Sequence, residues 1–316
     1  MKRYYKYSDY LINKYGVKTY KLPVNLPLTC PNRDGYLGKG GCDYCGEDGA
    51  AFGETAHPES VSKQILELKE PIGKKYNAEK FIAYFQNFTN TYLPLSELKK
   101  YIKEAVKIDD IVEIAISTRP DCINEKYIKT LQKITGDVNL TIELGLQTVN
   151  YHTLININRK HTLAEYIDAV LTCRKYGVEL VTHLILNLPG DEMTDVIENS
   201  KIISAFGIDT IKLHALYIKE KTVMAKKFKN NEIEIISLSE YVNRVVTFLE
   251  YLAPDIAIQR LIGRAPEEKT LFVNWGYSWA EINNKIINKL KEKDSYQGKK
   301  FNYLKGKALL KFEEEE

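Results

Sequence analysis

Apolar and polar positions along the chain follow two alternating rhythms. Short blocks rich in β-branched and aromatic residues, such as VKTYKLPVN (17–25), KFIAYFQ (80–86) and IVEIAIS (111–117), read as strands. Longer segments with apolar residues every three or four positions read as helices, at 61–76, 96–106 and 125–134. Ser96 is placed to cap the second of these. The rhythm continues with a strand at 138–146, a helix at 163–176 ended by Gly177, and a strand at 178–188. A helix at 191–205 and a strand at 210–217 complete six βα repeats of about 35 residues, the size of a βαβ unit. Such alternation predicts an α/β fold with a parallel sheet covered by helices. Polar residues recur at the C-terminal ends of successive strands, where barrel enzymes carry their sites. The expected architecture is therefore a partial (β/α)6 TIM-type barrel over residues 1–225. Beyond residue 226 the rhythm breaks into a helix at 238–251, a strand at 256–261 and a helix at 280–293. No linker rich in Gly, Pro or Ser separates this C-terminal α/β extension, 226–316, so it is expected to pack on the barrel.

Composition narrows the class. Of 316 residues 44% are apolar, which suffices for a large core, and 22 tyrosines add amphipathic packing area. No apolar run is long enough to span a bilayer, and the start, MKRYYKYSDYLINKYG, has no apolar signal core. The expected location is cytoplasmic, with no membrane partner. Five unevenly spaced cysteines do not suit a secreted disulfide framework. Net charge is only +3, but residues 285–311 carry nine lysines against two acids, with Tyr296, Phe301 and Tyr303 among them. The first twenty-one residues carry six basic groups against Asp9. Basic ends interleaved with aromatics suit a nucleic-acid backbone; on charge alone, a solvated lysine face is the plainer reading. The closing EEEE reads as an acidic, disordered tail.

Three cysteines, Cys30, Cys42 and Cys45, form C-x11-C-x2-C in a loop with five glycines between Gly35 and Gly46. Clustered thiolates bind zinc or iron–sulfur clusters. A structural zinc site needs a fourth ligand, for which His57 and Cys122 are the spare donors. A [4Fe–4S] cluster on three cysteines instead leaves one iron open to chelate the amino and carboxylate groups of S-adenosylmethionine. Reduction would then cleave the sulfonium and release a 5′-deoxyadenosyl radical. Tyr44, between the last two cysteines, fits an aromatic wall against adenine. The spacing leaves both metal readings open.

Further motifs occur in order: STRPDC (117–122), IELGLQT (142–148), INRKHT (157–162), HLILNLPGD (183–191) and IKLHALYIKEKT (211–222). With the cysteine loop they resemble strand endings of the radical S-adenosylmethionine enzymes, in the branch of the Elongator catalytic subunit. QRLIGRAP (259–266), Trp275 and Gln297–Gly298 resemble the narrower YhcC-like subfamily. The resemblance implies a [4Fe–4S] cluster on Cys30, Cys42 and Cys45. It implies a cofactor site drawing on Tyr44, Ser117, Glu143, Gln147, Arg159, His183 and Leu216. Gln147 and Arg159 are implied to contact the ribose and carboxylate; Lys212 and His214 fall on the substrate side. The second strand ends in YFQNFTNTY (84–92) without the family's Gly–Gly turn, so Gln86 and Asn87 are expected to receive the methionyl amino group. Asn187 stands where many relatives have glycine. Taken singly, His183 and His214 read as hydrogen-bonded core histidines, Arg119 as half of a structural ion pair, and Cys122 and Cys173 as small buried apolar residues. The function expected is radical chemistry on a tRNA wobble-uridine side chain, with tRNA and an electron donor such as flavodoxin or ferredoxin as partners. The other readings are a porphyrin-like or peptide substrate, or a non-catalytic, zinc-stabilised nucleic-acid-binding protein.

Overall fold

The computed structural model describes residues 2–47, 49, 60–264, 267–309 and 311. Its central sheet opens with β1 (Thr19–Val24), β2 (Lys80–Phe85), β3 (Ile111–Thr118) and β4 (Asn139–Gln147). It continues with β5 (Glu179–Ile185) and β6 (Thr210–His214). All neighbouring pairs are parallel and adjacent in chain order. The helices are α1 (Tyr7–Tyr15), α2 (Val61–Tyr76), α3 (Leu95–Ala105), α4 (Glu125–Thr135), α5 (Tyr151–Asn156), α6 (Leu163–Lys175) and α7 (Met193–Ala205). Further on, β7 (Ile218–Lys219) pairs antiparallel with β9 (Thr270–Phe272). The C-terminal region supplies α8 (Val223–Lys229), α9 (Leu238–Tyr251), α10 (Trp279–Glu292) and one more strand, β8 (Ala257–Arg260).

The α/β half-barrel expected from the alternation is present, with a difference: the sheet has seven strands. The seventh, β8, comes from beyond residue 226 and pairs parallel with β6. The outer faces of the strands and the helices share one core, which includes Leu22, Phe85, Ile114, Ile142, Leu184 and Leu213. Each such side chain contributes about 1.5–3 kcal/mol by leaving water.

Two local expectations are corrected. Ser96 does not cap α3. The helix starts at Leu95 with Pro94 in the capping position, and the Pro94 carbonyl accepts from the Glu97 and Leu98 amides at 2.9 and 3.1 Å. Proline's fixed φ already presets the entry, so Ser96 lies within the first turn. The basic stretch 285–311 is not uniformly solvated either. Lys300 pairs with the buried carboxylate of Glu250, Phe301 packs against the core, and the Tyr303 hydroxyl donates to the Tyr251 carbonyl at 2.6 Å. Gln297 bonds the carbonyls of Ala253 and Ile256 and accepts from the Tyr5 amide, clamping the two ends of the chain together.

Helix α1 escaped the sequence reading, as did the short α5 and α8 and the β7–β9 pair. Helix α1 sits in the N-terminal mouth of the half-barrel, where Leu11 packs on the inner-face residues Ile82 and Ala115. Tyr15 and Lys14 bond Glu113 at 2.6 and 3.1 Å, and Tyr10 bonds Glu179 at 2.9 Å. The plug closes the bottom, so access to the interior is from the C-terminal strand ends.

Candidate active site at the strand ends

Side chains alternate across a strand, so every second residue points into the half-barrel. Inward positions of six strands carry Lys21, Tyr84, Ser117, Glu143, His183 and Lys212, and they meet at one point. Glu143 is fully buried, ion-paired to Lys21, and accepts from Lys212 Nζ at 2.7 Å and from His183 Nε2 at 2.8 Å. Tyr84 lies beneath both lysines, with its ring centroid 4.6 Å from Lys21 Nζ and 4.4 Å from Lys212 Nζ. Its hydroxyl bonds Ser117 Oγ at 2.9 Å and accepts from Lys212 at 3.1 Å. Burial alone would raise the Glu143 carboxyl, but the two ammonium groups and His183 hold it well below the ordinary range. Burial lowers Lys212 and Lys21, partly offset by Glu143.

His183 stacks on His214 with centroids 5.3 Å apart. Burial, then the Lys212 charge, lowers the His183 imidazole to about 4. A buried neutral imidazole has a measurable consequence. The unfolded chain takes up the proton near pH 6.5. His183 therefore contributes stability that is full above that pH and is lost as pH falls toward 4. In urea titrations between these values, His183→Gln should remove about one proton's worth of slope, about 1.4 kcal/mol per pH unit. Parallel wild-type and variant curves would contradict this account.

The cysteine loop lies above this ring. Asn32 Nδ2 points at Cys42 Sγ at 3.5 Å and Arg159 Nη1 at 3.4 Å, while Arg33 Nη1 points at Cys45 Sγ at 3.6 Å. Burial raises the Cys42 thiol, yet Arg159 and Asn32 outweigh it and the net shift is downward. Burial and the Cys42 charge raise Cys45 to about 11, against the pull of Arg33. The loop is stitched to the segment after β4: Asn158 Nδ2 donates to the Gly41 carbonyl at 2.8 Å, and the Asp43 amide donates to Ile157 at 3.0 Å. Among the described residues no three His, Cys, Asp or Glu side chains converge as ion ligands. The donor set nevertheless fits a sulfur-rich anionic group. Amide and guanidinium N–H groups face the sulfurs, and the donors Arg159 Nε and Arg119 Nη1 are buried without partners. His57, one of the two spare zinc donors, lies outside the described residues.

A cavity of about 220 Å³ joins the two levels. Its walls include Cys30, Cys42, Cys45 and Tyr44 from the loop and Gln86, Ser117, Glu143 and Gln147 from the strand ends. Arg159, His183, Lys212, His214 and Leu216 complete the expected set. Asn87 does not belong to it. Its side chain clips the segment after β1, accepting from the Leu26 amide at 3.0 Å and donating to the Leu26 carbonyl at 2.6 Å. Asn90, which the sequence reading passed over, ties down the turn after β2: its Nδ2 donates to the carbonyls of Phe85, Asn87 and Ser117. Arg159, which lines the cavity, is also tied to the protein around it. Its Nη atoms are engaged by Cys42 and, at 2.6 Å, by the Gly145 carbonyl. A Cβ at Gly145 would lie 2.8 Å from Gln147 Nε2 and 2.9 Å from Arg159 Nη2, so a larger residue would push both side-chain ends away. Gln147 ends β4 with φ of 80°, at an irregularity in the pairing with β5. Arg119 is buried and bonds both oxygens of Asp121, at 2.8 and 2.5 Å, the structural pair its position suggested. Cys173 is buried in the core. Cys122 is half-buried beside Asp121, and burial with that charge lifts its thiol to about 12. Lys21, Tyr84 and Arg33 were also missed; a lysine amid the apolar residues of β1 was the signal for the first.

Comparison with known proteins bears on this arrangement. The family model described as the Radical SAM superfamily matches residues 30–201, and the Radical_SAM C-terminal domain matches 208–292. YtqA of Bacillus subtilis (strain 168) is 32% identical over 309 residues, 98% of this chain and 96% of that one. YhcC of Escherichia coli (strain K12) is 30% identical over 267 residues, 84% of this chain and 85% of that one. A tRNA uridine(34) acetyltransferase of Methanocaldococcus jannaschii is 28% identical over 160 residues, covering 44% of this chain and 28% of that protein. In fold, the chain is similar to archaeal Methanocaldococcus infernus Elp3 lacking its N-terminus, with TM-score 0.67 and 17% identity. That match covers 88% of this chain and 64% of that one. Among the described residues no helix is long and apolar enough to cross a membrane.

Proposed function

The chain belongs to the radical SAM superfamily, and on that premise we propose that it cleaves S-adenosylmethionine reductively to modify the side chain of a tRNA wobble uridine. One observation carries the reading: a single cavity is walled by the three-cysteine loop on one side and by the polar strand ends on the other. In this reading Cys30, Cys42 and Cys45 hold a [4Fe–4S] cluster. When bound, cluster and cofactor together supply a 5′-deoxyadenosyl radical after one electron arrives from a donor of the flavodoxin or ferredoxin kind.

The chain's own residues bind, orient and exclude water. Arg159, Asn32 and Arg33 hold the thiolates by charge-assisted hydrogen bonds. Tyr44 walls the adenine. Gln86, Ser117, Gln147, His183 and Leu216 line the space for the rest of the cofactor, with Glu143 as the buried anchor beneath. Lys212 and His214 face the substrate. The C-terminal region from residue 226 supplies Arg260 and Arg264 to the same cavity, which suits a substrate-presenting role. The plug α1 keeps water from entering below.

The tRNA assignment draws on three features. A partial relative is named for uridine 34 of tRNA. Exposed aromatics pair with basic groups in the C-terminal region: Trp279 lies 4.9 Å from the guanidinium of Arg264, which lines the cavity, and Tyr277 lies 5.0 Å from Lys285. Such pairs suit stacked bases beside a phosphate backbone. The basic C-terminal stretch extends the positive surface. These features fit a cytoplasmic RNA-modifying enzyme. The test is the tRNA nucleoside profile of cells with and without this protein: loss or accumulation of one wobble-uridine derivative is expected. An unchanged profile would move the substrate to a small molecule or peptide.

Charge reversal of Lys299, Lys305 and Lys307 together should weaken tRNA binding and lower its salt slope by up to about 2–3. Lys300 is left intact because it neutralises buried Glu250. Equal affinity across a salt series would remove this stretch from the RNA surface.

A further inference from the structure

Arg260 has more hydrogen-bonding capacity than the protein uses. It lies on β8, where the pairing with β6 is irregular: Ile258 faces Ile211, but Arg260, not Gln259, faces Lys212. The extra residue is a bulge, which re-aims a side chain. Gln259 and Arg260 consequently both reach the interior. Gln259 bonds Lys21 and Thr210, each at 2.9 Å, and Arg260 lines the cavity. Among the described residues the Arg260 side chain bonds only the His214 ring, with Nη2 2.7 Å from Nδ1 and 2.9 Å from Nε2. Burial and Arg260 together hold His214 neutral, so it accepts a hydrogen bond but offers no counter-charge. Arg260 Nε is buried with no partner. The space over the guanidinium is kept open by Gly263, where a Cβ would lie 3.3 Å from Arg260 Cζ and Nη2.

The charge balance points the same way. Among the described residues that line the cavity the one carboxylate is Glu143, and it pairs with Lys21 and Lys212, not with Arg260. Glu143 is already saturated by the two lysines and His183. A buried guanidinium without an anion is costly, and an incoming anion relieves the cost. A planar fork with free N–H groups selects a carboxylate.

We infer that Arg260, with His214 behind it and Lys212 beside it, forms a subsite for a carboxylate carried by the substrate. This rests on the cavity being the site of radical chemistry. It narrows the substrate class to molecules, or modified uridines, whose reacting side chain ends in a carboxylate. The cofactor also has a carboxylate, so the test must separate the two sources.

The probe is acetate, with acetamide as its neutral isostere, followed by saturation-transfer NMR on anaerobically reconstituted protein already saturated with S-adenosylmethionine. The wild type should bind acetate and not acetamide. Arg260→Gln should weaken acetate by at least about tenfold, the scale of a lost charge-assisted hydrogen bond. Cofactor affinity, by equilibrium dialysis, should change by less than about threefold. Gly263→Ala, which crowds the guanidinium without removing it, should weaken acetate several-fold and keeps the test open if Arg260→Gln fails to fold. Equal binding of acetate and acetamide, or unchanged acetate affinity in both variants, overturns the subsite. A tenfold loss of cofactor affinity in Arg260→Gln reassigns the guanidinium to the cofactor and overturns it equally. Since no RNA and no turnover enter the measurement, its failure is distinct from failure of the tRNA reading.

Discussion

Alanine at Cys30, Cys42 or Cys45 should each abolish iron binding. Anaerobically reconstituted wild type should carry about four irons and an iron–thiolate charge-transfer band. Three thiolates are the whole protein ligand set in the proposed site, so loss of one leaves two irons without protein ligands. Cys42 and Cys45 differ in how readily they ionise before the metal arrives. Arg159 and Asn32 overcome the cost of its burial and favour the thiolate, whereas Cys45 is raised to about 11 and needs the metal to ionise. The controls are Cys173→Ala and Cys122→Ala, which should load fully. Cys173 is enclosed by core residues, with burial raising its thiol to about 12. Cys122 is held protonated by burial and Asp121. The measurements are iron and sulfide content with the visible spectrum. Stoichiometric zinc with no capacity for iron would overturn the cluster assignment.

Glu143→Gln should cost about 3–5 kcal/mol of stability, the range for removing one partner of a buried charge network. The substitution keeps size and hydrogen-bonding shape but leaves Lys21 and Lys212 facing each other across Tyr84 with no anion between them. Urea unfolding measures the loss. Lys21→Met combined with Glu143→Gln should recover part of it, because one of the two uncompensated charges is gone. A loss below about 1 kcal/mol would mean that water or a counter-ion replaces the carboxylate, and that the half-barrel interior is wetter than the burial of Glu143 indicates.

Much of the fold was legible along the chain because its signals are local. A parallel strand covered on both faces must be a nearly continuous apolar block, and an amphipathic helix must repeat every three to four residues. Helix α2 accordingly runs over Val61–Tyr76 and α9 over Leu238–Tyr251, the spans their spacing predicts. Three cysteines within sixteen residues were equally visible, as were His183 and Lys212, polar residues inside apolar strands. The remainder depends on pairing between distant segments. Helix α1 is amphipathic like many surface helices, and nothing in its spacing distinguishes a plug from a cover. Arg159 and Asn87 stood out by position, but their partners within the protein, Cys42 and Leu26, are 117 and 61 residues away and carry no local signal. Lys21 meets Glu143 across 122 residues and Gln259 across 238. The bulge that turns Arg260 inward is a property of the β6–β8 register. Residue type and spacing determine which side chains a strand can offer to an interior. Only closure of the sheet, through backbone hydrogen bonds that carry no side-chain signature, decides which of them share it and which charge is left without a partner.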